Sequence, residues 1–137
     1  MTEQTTRLVL PSHIEAVADG AAAATDFIQS CGVGEDAAFG VDVAVREAIN
    51  NAMVHGNKEN EAKTIELTLN CLGRELEIEV KDQGEGFDPT SIPDPTEPAN
   101  ILKTSGRGIF LMRSFMDEVT WSMRPEGGTT VRMTKKF

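Results

Sequence analysis

The sequence predicts a layered α+β domain. Two patterns carry this: apolar residues recur at helical spacing over two N-terminal segments, and strict two-residue alternation marks two later ones. Length agrees. At 137 residues, 39% apolar and 26% charged, the chain 1–137 reads as one domain that buries roughly two-thirds of its unfolded surface. There is no internal repeat.

The elements follow in order. Thr5 to Leu10 is a short β-prone run closed by Pro11. Ser12, with Glu15 three residues on, predicts a capping box for a first helix ending near Gln29. Its apolar positions are Ile14, Val17, Ala18, Ala21, Ala24, Phe27 and Ile28, and Cys31-Gly-Val-Gly34 stops it. A second helix fits Glu35 to about His55, with Val41, Ala44, Val45, Ala48, Ile49 and Ala52 on one face and Gly56-Asn57 as stops. Thr64–Leu69 and Glu75–Val80 alternate apolar and polar residues around Gly73, which predicts a β-hairpin with one wet face. The stretch from Phe87 to Thr104 holds four of the six prolines and predicts a long functional loop. A third helix is expected from about Gly108 to Met116, then strands near Val119–Met123 and Thr129–Lys135 around Pro125-Glu-Gly-Gly128.

The bulk numbers narrow the function. Net charge is −9 and no basic run occurs, which argues against direct nucleic-acid binding. One nucleotide needs only backbone amides and a metal ion, so it stays open. No apolar run approaches the ~20 residues of a membrane span, and the N-terminus lacks a signal peptide's core. Cys31 and Cys71 form no metal-binding motif and are expected as reduced, buried thiols. A cytoplasmic protein is expected.

Four polar constellations could carry chemistry. Glu47-Ala-Ile-Asn-Asn51 puts a carboxylate and a carboxamide one helical turn apart. That pair suits a general base and a Mg²⁺ ligand, and equally a solvated helix face. Asp82-Gln-Gly84-Glu-Gly86 sets a carboxylate at a strand end beside a backbone that a ligand can approach. It suits an exocyclic amine such as that of adenine, or an ordinary turn. Ser105-Gly106-Arg107-Gly108 directly precedes the third helix, offering free amides and one positive charge to an anion, or a plain hinge. Gly127-Gly-Thr129 opens the last strand, where the hydroxyl could reach a base edge. No GxxxxGK[ST], complete GxGxxG, HRD or DFG motif is present.

Taken in this order, Glu47…Asn51, Asp82-x-Gly84-x-Gly86, Gly106-x-Gly108 and Gly128-Thr129 resemble the four boxes of the GHKL ATPases. Arg46–Gly56 and Ser105–Val119 most resemble the bacterial anti-sigma factor serine/threonine kinases of that superfamily, and the likeness covers nearly the whole chain. The resemblance implies the Bergerat fold, a two-layer α/β sandwich with helices on one face of a mixed, mostly antiparallel sheet. It implies ATP and Mg²⁺ as cofactors, Glu47 as catalytic base and Asn51 as metal ligand. Asp82 would read adenine with Gly84, Gly86 and Thr129, and Ser105, Gly106, Arg107 and Gly108 would hold phosphates. The segment of about 87–105 would be the ATP lid. The implied activity is phosphorylation of a Ser or Thr on an anti-anti-sigma (STAS-type) partner by a protein that also sequesters a sigma factor, with a homodimer expected. The alternatives are a non-catalytic ATP-binding regulatory module and an orphan histidine-kinase catalytic domain. Neither His13 nor His55 sits in a phospho-acceptor helix pair, which disfavours the last. Thr104 stands where several relatives carry a basic residue, leaving Lys103 or Arg107 to supply that charge.

Overall fold

The computed structural model describes residues 3–57, 60, 62–84, 104–125 and 127–137, with the backbone alone for 55–56 and 104–108. The order is β1 (Glu3–Pro11), α1 (Glu15–Ser30), α2 (Glu35–Asn51), β2 (Thr64–Leu72), β3 (Glu75–Lys81), α3 (Thr104–Phe115), β4 (Glu118–Met123) and β5 (Thr129–Lys136). A π-helical turn, Ala52–Gly56, extends α2. Residues 87–103 of the expected lid, and Gly86 before it, lie outside the described residues.

The strands form one sheet in the order β1-β2-β3-β5-β4. Every pairing among the described residues is antiparallel, in line with the expected mixed, mostly antiparallel sheet. The hairpin turns at Gly73 and at Gly127-Gly128 account for two of these pairings, since a short turn can join only antiparallel neighbours. Register follows from side-chain alternation, because a one-residue slip would expose every inward side chain. Leu8 stands opposite Leu67, Leu67 opposite Val80, Val80 opposite Val131, and Val131 opposite Trp121, one apolar row crossing all five strands. The next row, Leu69, Ile78, Met133 and Val119, repeats the pattern.

The helices cover this apolar face. The α2 side chains Val41, Ala44, Val45, Ala48 and Ile49 are all buried, as their spacing predicts. At Gly20 of α1 an added Cβ would lie 2.3 Å from Ile49 Cδ1, so a larger residue there would have to displace the tip of Ile49. Met112 and Met116 seal the α3 side. The opposite sheet face is charged and carries the pairs Arg132–Glu77 at 2.7 Å and Arg7–Glu66.

Three expectations are corrected. The capping box does not form. Helix α1 starts at Glu15 with Ile14 as cap and no side-chain cap bond; Ser12 is buried, its amide donating to Lys63 O at 3.2 Å, so its hydroxyl cannot reach the helix start. The predicted apolar face of α1 holds at Ala21, Ala24 and Ile28, with Val17 and Phe27 packed against the core, but Ile14 is 72% exposed and the small residues Ala16 and Gly20 are buried as well. Helix α3 begins at Thr104, so Gly106 and Gly108 fall inside its first turns rather than before it. Hydroxyl residues such as Thr104 and Ser105 favour helix starts, and near an N-terminus glycine gives up little. Pro11 belongs to β1, an edge strand that tolerates its missing donor.

Candidate functional site

The site is built at one end of β3 and β5. Alternation aims Asp82 at the same face as Ile78 and Val80, toward the helices. Its cross-strand neighbour is Thr129: the Asp82 amide donates to Thr129 O at 3.0 Å, and the Thr129 amide donates to Asp82 Oδ1 at 3.0 Å. The Gly84 amide donates to the same Oδ1 at 3.0 Å. One carboxylate oxygen is thereby fixed by two backbone amides. Among the described residues no hydrogen bond reaches the other oxygen.

Asp82 is 5% exposed. Burial pushes its carboxyl above the usual aspartate range, while the Gly84 and Thr129 amides and the positive charges of Arg124 and Lys63 hold it back. Gly128 makes this tightness possible. Its φ is +101°, and an added Cβ would lie 2.2 Å from Asp82 O. Only glycine satisfies both conditions. Thr129 is buried, and its Oγ1 has no hydrogen-bond partner among the described residues. A buried hydroxyl with nothing to bond to costs about 1–3 kcal/mol, so a polar partner reaching Thr129 beside the Asp82 carboxylate would be stabilised there.

Glu47 and Asn51 lie one turn apart on α2, both partly buried beside its apolar face. Arg46, next in sequence, turns outward to Asp42 at 3.0 Å, which leaves Glu47 without that competing charge. The structure thus brings Asp82, Gly84 and Thr129 together and sets Glu47 and Asn51 on the helix above the sheet. Gly86 lies outside the described residues, and of Ser105, Gly106, Arg107 and Gly108 the helical backbone alone is described. No cluster of three or more metal-ligating His, Cys, Asp or Glu occurs among the described residues. An ion held through one neutral amide and phosphate oxygens fits Mg²⁺, which keeps several waters and needs no protein cage.

Three residues without a site role in the sequence reading organise this end of the molecule. Asn57 is 1% exposed and uses both ends of its amide: Nδ2 donates to Thr64 O at 3.0 Å, and Oδ1 accepts from the Gln83 amide at 2.7 Å. Gln83 Oε1 accepts in turn from the Thr64 amide at 2.7 Å. Arg124 Nη1 donates to Asp82 O at 2.7 Å. Asn57 follows the helix bearing Asn51, and Gln83 follows Asp82, so the two halves of the site are tied through one side chain. Nothing in the local sequence separates this asparagine from an ordinary helix stop.

Comparison with known proteins agrees with this fold. The histidine kinase-like ATPase domain family matches residues 10–135. An anti-sigma F factor of Clostridium botulinum is 37% identical over 101 residues, covering 71% of this chain and 69% of that one. The anti-sigma F factor of Bacillus subtilis is 31% identical, with 69% and 66% covered. The serine-protein kinase RsbW of Staphylococcus aureus is 36% identical, with 68% and 62% covered. The solved structure of the RsbU and RsbW domains of a Mycobacterium tuberculosis protein superimposes with TM-score 0.71 at 18% identity, over 97% of this chain and 32% of that one, and so agrees in fold. The chain belongs to the histidine kinase-like ATPase domain family, on the branch of the bacterial anti-sigma factor serine kinases.

Proposed function

We propose that this chain is an ATP-dependent serine/threonine protein kinase and anti-sigma factor. It sequesters a sigma factor and phosphorylates a Ser or Thr of an anti-anti-sigma (STAS-type) partner. The observation that carries the reading is the Asp82–Thr129 pair, a buried half-used carboxylate beside a partnerless hydroxyl. This matches the amino edge of adenine: Asp82 accepts from the exocyclic amine, and the Thr129 hydroxyl bonds a neighbouring ring nitrogen or an ordered water. The names of the relatives support the kinase and anti-sigma roles.

In this reading Asn51 would hold Mg²⁺, which when bound would supply charge neutralisation at the phosphate oxygens. Glu47 takes the proton of the substrate hydroxyl as the new P–O bond forms. The first amides of α3, from Thr104 to Gly106, belong to the turn whose N–H groups an α-helix leaves unpaired, and would stabilise the charge that builds on the phosphates. The segment 87–105 closes over them as a lid. The protein acts in the cytoplasm as a homodimer.

Incubation with labelled ATP and an anti-anti-sigma protein tests this. Glu47→Ala is expected to keep nucleotide affinity and lose transfer by about 10²-fold or more. Asp82→Asn, which presents a donor where an acceptor is needed, is expected to abolish ADP binding. Wild-type levels of phosphate on the partner with Glu47→Ala remove the base assignment. Unchanged ADP affinity in Asp82→Asn removes the adenine assignment.

A further inference from the structure

The two cysteines, distant in sequence, meet at the other end of the sheet. Cys71 lies near the end of β2, and alternation turns its side chain inward with Ile65, Leu67 and Leu69. Its cross-strand neighbour on β1 is Gln4. Residues directly opposite on antiparallel strands point to the same face, so Gln4 projects beside Cys71. Helix α1 ends above this pair. Its last residue, Ser30, donates through Oγ to Phe27 O at 2.6 Å and lies 3.3 Å from Gln4 Oε1, and its C-cap, Cys31, reaches that Gln4 oxygen through Sγ at 3.8 Å. The Cys71 thiol donates to Gly73 O at 3.9 Å, and Cys31 lies close enough to act on its titration. Both are free thiols, Cys31 partly exposed and Cys71 buried.

We propose that Cys31 and Cys71 are a redox-modification site, forming a reversible disulfide that clasps the end of α1 to β2. The environments assign each sulfur a part. Burial, then the contact with Cys31, pushes the Cys71 thiol up to about 11, so it stays protonated at neutral pH. Cys31 is the sulfur that solvent can reach. With hydrogen peroxide as oxidant, the Cys31 thiolate attacks one peroxide oxygen and the O–O bond breaks. The departing hydroxide takes up the Cys31 proton as water, leaving a sulfenic acid. The Cys71 sulfur then attacks the Cys31 sulfur: the S–S bond forms, the S–O bond breaks, and the Cys71 proton leaves with the hydroxyl as a second water. Both sulfurs are oxidised and the peroxide is reduced. A small thiol reverses the bond by exchange.

The clasp acts on stability rather than on the nucleotide. Leu76, the partner of Cys71, is the second residue of β3 and Asp82 follows its last, so the thiols and the proposed adenine-reading end lie at opposite ends of the strand. Joining positions so far apart in the chain restricts the unfolded ensemble.

The test treats the full chain with stoichiometric peroxide, then alkylates it for intact mass and non-reducing peptide mapping. The expected product is a monomer lighter by two hydrogen atoms, with the Cys31 and Cys71 peptides joined. Its unfolding midpoint rises by roughly 5–15 °C and returns with dithiothreitol. Cys31→Ser, a near-isosteric change at a partly exposed position, should abolish both effects. Added oxygen on Cys31 without a link, links between chains, or an internal link with an unchanged midpoint would each overturn the proposal.

Discussion

Asp82 shows how much one side chain can be asked to do. It must be ionised to accept from an amine, yet burial favours its protonated form. The two demands have opposite signs. Because the folded carboxyl holds its proton more tightly than an ordinary aspartate, its contribution to folding is largest at low pH and declines as pH rises through the raised value. Nucleotide affinity runs the other way, falling as pH drops through that same value. ADP affinity measured by calorimetry down an acid series should therefore weaken at a higher pH than a free aspartate's titration range. A loss confined to the ordinary range would mean that the carboxyl is not desolvated as described. The identity of Asp82 as a strand-end carboxylate was legible in the sequence, since alternation and the following glycine mark it. The arrangement around it was not. Two amides on one oxygen and an orphaned Thr129 hydroxyl depend on β5 arriving beside β3, and nothing local in the chain specifies that meeting.

At the scale of elements, the strands and α2 were the most readable parts, because each buries one continuous face and so prints a clean period. The ends were least readable. The Ser12–Glu15 capping signature gave way to the burial of Ser12, and α3 wound further toward its N-terminus than its glycines suggest. Asn57 was read as a stop, and it proves to be a bracket between elements. Removing it leaves the Gln83 amide and the Thr64 carbonyl without partners in a buried place. Asn57→Ala is therefore expected to cost about 1–3 kcal/mol in urea unfolding. It should also weaken ADP binding about tenfold or more by loosening Asp82 from α2, which corresponds to about 1.4 kcal/mol. Stability and affinity both unchanged would show that the bracket is decorative.

Across the whole molecule, cohesion comes from the apolar row between sheet and helices, and the charged face contributes little. Leu67 is fully buried and central in that row, so Leu67→Ala should destabilise by about 2–5 kcal/mol. Arg132, partnered by Glu77 on the open face, is worth under about 1 kcal/mol as an exposed ion pair. The Arg132 guanidinium holds the Glu77 carboxyl below its ordinary value, so that small term is present at neutral pH and is lost as pH falls through the lowered value. Denaturant midpoints of the two variants in one buffer rank these contributions, and equal losses would refute the ranking.

The π-helical turn after α2 has a consequence of its own. It carries the Asn57 amide to Ala52 O at 2.8 Å, one residue wider than the ordinary helical repeat. Deleting a single residue between Ala52 and Gly56 would restore that repeat and swing whatever follows about 100° around the axis. The asparagine would then face away from Thr64 and Gln83. Chain length at this spot is thus under as tight a constraint as residue identity, and insertions or deletions that a surface loop would absorb should here disconnect the helix from the pocket floor.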